Sequence, residues 1–271
     1  MRTGLALFGL TLAFAALPAA GAGPRVAAHR GGALLWVENS LAAYRKALAL
    51  GVDYVETDVH LTADGGVVVL HDATLNRTTS GAGAVRETRR DELARLRLRA
   101  RDGGLTDEPI PALDELLDVV RPSRAELLLE IKVDERGRRY SGIEERVLAL
   151  LRAHGLTART LIMAFEPDTL RRVRELEPAV RTVLLIERGR VQRERVWPAA
   201  AVARAVDLGA AAVGFNHRLV DADVAQAARR AGLVLAAWTV NEEADLRRVV
   251  GLGVDIVISD RPDLALRMAG R

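Results

Sequence analysis

The sequence predicts an α/β fold, a closed (β/α)8 barrel with a small insertion after its second strand, on three observations. Apolar runs of strand length alternate with amphipathic helical stretches along most of the chain. About eight such runs occur, which is the strand count of a closed barrel. The polar residues fitted for chemistry fall at the carboxyl ends of those runs, the face on which barrels build their sites. A doubly wound open sheet is the competing architecture, but no Gly-rich dinucleotide fingerprint opens the first strand-to-helix turn.

The first strand is expected at residues 25–28, ending in His29-Arg30-Gly31-Gly32. Asn39 or Ser40 can cap a helix over residues 41–50, which Gly51 terminates. The second strand lies in the most informative stretch, residues 55–72, VETDVHLTADGGVVVLHD. Val55, Thr57 and Val59 alternate there with Glu56, Asp58 and His60, a period of two with unlike faces. Residues 63–66 make a turn, residues 67–70 a further short strand, and His71-Asp72 close the stretch. Residues 77–104 read as a polar insertion with one Arg/Leu-patterned helix near residues 91–100, before a helix at 113–120. Strands are then expected at 126–132, 160–165, 182–186, 211–215, 233–238 and 254–258. Helices at 143–154, 167–176, 198–208, 221–231 and 242–252 separate them. With no internal repeat or linker, residues 23–271 are expected to form one domain.

Residues 1–22 are set apart from this fold. Arg2 precedes an apolar run at residues 5–17, and Ala20-Gly21-Ala22 offers the small residues a signal peptidase requires. The run is shorter than the ~20 residues of a spanning helix. A cleaved signal peptide and a secreted or periplasmic protein, with no stable membrane span after cleavage, are therefore expected. An uncleaved N-terminal membrane anchor is the alternative. The chain has no cysteine, which excludes disulfides and thiolate metal sites, so oxygen or imidazole must hold any metal. A net charge of +3 with interspersed signs and few aromatics argues against a nucleic-acid partner.

Glu56 and Asp58 leave one strand on the same side. Buried together they repel each other and lose hydration, unless a positive group lies between them. A hard divalent cation, Ca²⁺ or Mg²⁺, is the natural neutraliser, and Glu130 at the end of the third barrel strand makes a third carboxylate ligand. His29 and His71 can supply a general base and a general acid near neutral pH. Arg30 and Lys132 would complement a phosphate; Lys132 is one of only two lysines in an Arg-rich chain. Metal, two imidazoles and two cations together read as phosphoryl-ester hydrolysis. His60 shares the face of Asp58 and is expected to be structural rather than a fourth ligand. Residues 259–262, Ser-Asp-Arg-Pro, read as the N-terminus of the last helix.

Nearly the whole of the chain after residue 22 resembles the glycerophosphodiester phosphodiesterase family. The matching pieces are His29-Arg30-Gly31, Glu38-Asn39-Ser40, Glu56-x-Asp58 running on to His71-Asp72, Arg77-Thr78-Thr79, Ile110-Pro111, Glu130-Ile131-Lys132, Trp238-Thr239-Val240-Asn241 and Asp260-Arg261-Pro262. Val37 and Ser40 stand where the family usually has Pro and Thr. The resemblance implies a TIM barrel that hydrolyses glycerophosphodiesters to glycerol 3-phosphate and an alcohol. It further implies one divalent metal on Glu56, Asp58 and Glu130, with His29 and His71 as the acid–base pair. Arg30 and Lys132 would contact the phosphate and Trp238 would wall the glycerol. Two rivals are a barrel phosphodiesterase acting on lysophospholipids and a non-catalytic barrel that captures phosphodiesters.

Overall fold

The computed structural model describes residues 23–271; the expected signal peptide lies outside them. The strands, in chain order, are β1 (Arg25–Ala28), β2 (Tyr54–Leu61), β3 (Val67–Val69), β4 (Arg97–Arg99), β5 (Leu105–Pro109), β6 (Glu126–Ile131), β7 (Thr160–Ala164), β8 (Arg181–Ile186), β9 (Ala212–Asn216), β10 (Val234–Trp238) and β11 (Ile256–Ser259). Eight of them form a ring in the order β1-β2-β6-β7-β8-β9-β10-β11, closed by the parallel pairing of β1 with both β2 and β11. Every neighbour in the ring is parallel. The expected (β/α)8 barrel is therefore the fold. β3 lies outside the ring, antiparallel to β2.

Strand alternation sorts the side chains into two cores. Tyr54, Leu128, Met163, Leu185, Ala236 and Ile258 fill the barrel interior. The other parity, including Val55, Leu127, Leu129, Ile162 and Val213, packs under the surrounding helices. Buried aliphatic side chains of this size each contribute about 1.5–3 kcal/mol relative to exposure, so this sorting sets the register. Because Tyr54 and Leu128 point inward, Glu56 and Asp58 on β2 and Glu130 on β6 also point inward, nearer the mouth.

The helical expectations hold to within a residue or two at most ends: Leu41–Ala49, Leu113–Val120, Ile143–Ala153, Pro167–Leu176, Pro198–Asp207, Ala222–Arg230 and Glu243–Gly251. Ser40 is the cap, its hydroxyl accepting from the Ala43 N–H at 3.1 Å. One expectation fails. Residues 91–100 are not a helix: a single turn spans Arg90–Leu93, and Arg97–Arg99 is a strand paired with β5. The Arg-Leu-Arg-Leu-Arg run at 95–99 alternates with period two, and its buried Leu98 joins Leu93, Val68, Leu70 and Ile110 in a third apolar cluster beneath the insertion. An unexpected helix, Arg188–Glu194, has no buried residue and so lacks the apolar stripe that would announce it. Among the described residues no helix is long and apolar enough to cross a membrane.

Candidate active site

β2 and β6 are paired in register, with Asp58 beside Glu130. That pairing and the shared inward parity bring three acids together at the mouth of the barrel. Glu56, Asp58 and Glu130 offer carboxylate oxygens that all lie within 4.8 Å of one another, and all three residues are buried. These acids are therefore held inside the barrel mouth rather than solvated on an exposed strand.

Protein groups only partly neutralise the triad. Lys132 Nζ lies 2.8 Å from Glu130 and 3.1 Å from Asp58, and Arg30 Nε lies 3.5 Å from Asp58. Asn39 donates its amide to Asp58 at 3.2 Å, and the Arg30 backbone N–H donates to Glu56 at 2.8 Å. Asp58 Oδ1 still receives no hydrogen bond, despite its buried position and the nearby ammonium. Burial raises the cost of the Asp58 charge, but Lys132, His71 and Arg30 outweigh it and hold the carboxyl well below the usual range. Glu56 goes the other way: burial, then the Asp58 charge, pushes its pKa up to about 8. The cluster thus resists carrying three negative charges at once, for want of positive charge among them. An orphaned carboxylate oxygen in an all-oxygen donor set fits a hard divalent cation on Glu56, Asp58 and Glu130.

Both histidines carry a carboxylate on Nδ1. His29 Nδ1 lies 2.6 Å from Asp260 Oδ1, and His71 Nδ1 lies 2.7 Å from Asp72 Oδ1. In each ring this leaves Nε2 as the nitrogen free to exchange a proton. Burial disfavours the His29 cation, but the Glu56 charge and the Asp260 hydrogen bond prevail and raise its pKa. His60 behaves as expected of a structural residue. It bonds the Tyr140 hydroxyl at 2.8 Å and the His71 carbonyl at 3.1 Å, and burial lowers its pKa to about 4. It thereby fixes the backbone that carries His71.

Trp238 ends β10 on the interior parity, its indole N–H donating to the Gly214 carbonyl at 3.1 Å. Its ring meets Phe165 edge-on at 5.5 Å. A cavity of about 430 Å³ opens beside Phe165, lined by His71, Glu130, Lys132 and Glu166 among others. It has room for a small phosphodiester beside Glu130.

Four supporting residues had no role legible in the sequence: Asp260, Asn39, Phe165 and Asp72, the partner of His71. Asp260 is the largest omission: residues 259–262 do open the helix Pro262–Met268, but Asp260 is turned onto His29, and Asn241 donates to its other oxygen at 2.7 Å. Asn39, read as a possible cap, instead accepts from the Tyr44 hydroxyl at 2.6 Å while donating to Asp58. Phe165 was read only as the end of a strand. Asp260 and Asn39 each lie within a family motif that carried no assigned role in the chemistry; for Phe165 the signal was an aromatic at a strand's carboxyl end.

Comparison with known proteins agrees with this geometry. The model of the Glycerophosphoryl diester phosphodiesterase family matches residues 29–264. A glycerophosphodiester phosphodiesterase of Caldanaerobacter subterraneus subsp. tengcongensis is 31% identical over 244 residues, covering 90% of this chain and 96% of the relative. Among solved structures, a glycerophosphodiester phosphodiesterase from Agrobacterium tumefaciens superposes with a TM-score of 0.74 at 26% identity, covering 92% of this chain and 100% of the other. A phosphodiesterase of Oleispira antarctica, in complex with the product sn-glycerol-3-phosphate, superposes with a TM-score of 0.78 at 28% identity, covering 92% and 98%.

Proposed function

Since the chain belongs to the glycerophosphoryl diester phosphodiesterase family, we propose that it hydrolyses glycerophosphodiesters to glycerol 3-phosphate and an alcohol, with a divalent metal and a pair of histidines. One observation carries this reading: three buried, mutually repelling carboxylates at the barrel mouth stand with two imidazoles, each backed by its own carboxylate. A non-catalytic phosphodiester binder needs cations but not that pair.

Glu56, Asp58 and Glu130 would hold the ion, Ca²⁺ or Mg²⁺. Once bound, it would neutralise phosphodiester oxygens and make phosphorus more electrophilic. Arg30 and Lys132 lend positive charge to the same oxygens as charge builds in the transition state. Trp238 and Phe165 exclude water from one side and present an apolar corner to the glycerol carbons. His29, with its raised proton affinity, and His71 exchange protons through Nε2. One removes the proton of the attacking hydroxyl, from water or from the glycerol 2-position. The other protonates the leaving alkoxide. Asp260 and Asp72 hold each ring in the tautomer and orientation this requires.

The test is product analysis. Purified protein is incubated with glycerophosphocholine and lysophosphatidylcholine in parallel, and phosphorus NMR identifies the products. Release of glycerol 3-phosphate from the first supports the reading. Turnover of the second alone would establish a lysophospholipid specificity instead, and turnover of neither would remove the activity.

A further inference from the structure

Two of the family motifs, Glu38-Asn39-Ser40 and Arg77-Thr78-Thr79, contain charged residues that the chemistry above does not use. In the structure those residues meet. Arg77 Nε and Nη2 donate to Asp72 at 2.6 and 2.9 Å, and Nη1 and Nη2 donate to Glu38 at 2.9 Å each. One guanidinium thus holds two carboxylates with paired bonds, the geometry for which Arg is suited and Lys is not. Each carboxylate carries a site group on its other side. Asp72 meets His71 Nδ1 at 2.7 Å, and Glu38 accepts from Arg30 Nη1 at 3.2 Å.

We propose that Arg77 is a positioning residue for the reaction, orienting His71 through Asp72 and Arg30 through Glu38. The proposal rests on the functional reading above. Arg77 comes from the insertion, Glu38 from the loop after β1, and Asp72 from the segment after β3. The guanidinium therefore ties one proton-transfer element to one phosphate-contact element across three separate segments. Its charge is balanced by two carboxylates, so it is poorly placed to serve as a phosphate ligand itself. Without it, Asp72 loses the partner that fixes its carboxylate plane, and the His71 ring gains freedom about χ1 and χ2. Glu38 likewise loses its anchor and no longer holds the Arg30 fork in one orientation. A half-exposed ion pair with no such role would contribute little to stability and nothing to turnover.

The experiment compares wild type with Arg77→Ala, Arg77→Lys, Asp72→Asn and the Arg77→Ala/Asp72→Asn double variant. Melting curves first show that each is folded. Arg77→Ala should lower kcat roughly 10- to 100-fold, the range for residues that orient site groups. KM for glycerophosphocholine should stay within about twofold, since uniform binding is untouched. The pH profile should change shape, and Arg77→Lys should recover only part of the loss. Because Arg77 acts through Glu38 as well as Asp72, the double variant should be worse than Asp72→Asn alone, but by less than the full Arg77→Ala loss. A raised KM with kcat intact, multiplicative losses in the double variant, or unchanged kinetics in Arg77→Ala would overturn the proposal. A readout independent of turnover separates this from failure of the functional reading. Nitrogen NMR should show His71 locked as one tautomer in wild type and averaged in Arg77→Ala. Should wild type hydrolyse no glycerophosphodiester, the functional reading falls, while an unaltered His71 spectrum in Arg77→Ala refutes the positioning role by itself.

Discussion

Replacing Glu56 by Gln, with divalent cations removed, should make this protein more stable rather than less. Glu56 is 2% exposed and faces Asp58 and Glu130 with too little positive charge among them. Moving its pKa from 4.5 to about 8 corresponds to about 5 kcal/mol held against the ionised form. The sign follows from proton counts. Between the unfolded value and the raised folded one, the native state binds more protons than the unfolded state, so stability falls as pH rises. From about pH 6.5 to about pH 8 the loss from Glu56 comes to about 2 kcal/mol, or several degrees in Tm for a domain of this size. His29, whose folded pKa is also raised, adds to the same slope above its unfolded value. His60 has a depressed pKa and acts with the opposite sign, but only below about pH 6.5, outside this window. Gln conserves the shape and can still accept from the Arg30 N–H. At about pH 8 the chelator-treated Glu56→Gln protein should gain up to about 4 kcal/mol over wild type. Calorimetry after dialysis against chelator measures both quantities, and saturating Ca²⁺ should flatten the slope in wild type but not in the variant. A wild-type melting temperature that is flat or rising across this window would refute the reasoning. So would a Gln variant no more stable than wild type.

The remaining predictions concern chemistry and export. His29→Ala should lower turnover at least about 10²-fold, as for a general acid–base residue, and near-normal steady-state rates would take His29 out of the mechanism. Asp260→Asn should cost roughly 10-fold or more in kcat with little change in KM, whereas a pure KM effect would show that Asp260 does not act through His29. A substrate lacking the glycerol 2-hydroxyl distinguishes the two nucleophiles: undiminished turnover excludes a cyclic phosphate intermediate, and abolished turnover supports one. We also propose that residues 1–22 are a cleaved export signal ahead of a single catalytic domain. Mass spectrometry of protein recovered outside the cytoplasm should then find an N-terminus near Gly23, and a retained Met1 would contradict cleavage.

The architecture was legible because strand parity and helix periodicity depend on local spacing alone. The alternation around Glu56 and Asp58 showed which face they share, and the barrel topology then brought Glu130 beside them. What stayed hidden depends on contacts between distant segments. Asp260 lies 231 residues from His29, and its local surroundings, a helix start with Pro in the first turn, already explained it. Asn39 sits at a φ of 58° before the capping Ser40, so its side chain swings to the interior instead of onto the helix end. The segment after residue 90 misled for another reason. Arg and Leu are good helix formers, but burial of Leu93 and Leu98 under the insertion requires a turn followed by a strand. The helix at Arg188–Glu194 buries nothing and left no apolar period to read.

The most direct measurement is hydrolysis of glycerophosphocholine by the purified protein before and after exhaustive dialysis against chelator, with Ca²⁺ and Mg²⁺ then returned separately. Activity should vanish on dialysis and come back with at least one of the two ions, and Glu56→Gln, Asp58→Asn and Glu130→Gln should each fail to respond. Full hydrolysis by metal-free protein would contradict the assignment of the three carboxylates to a cation.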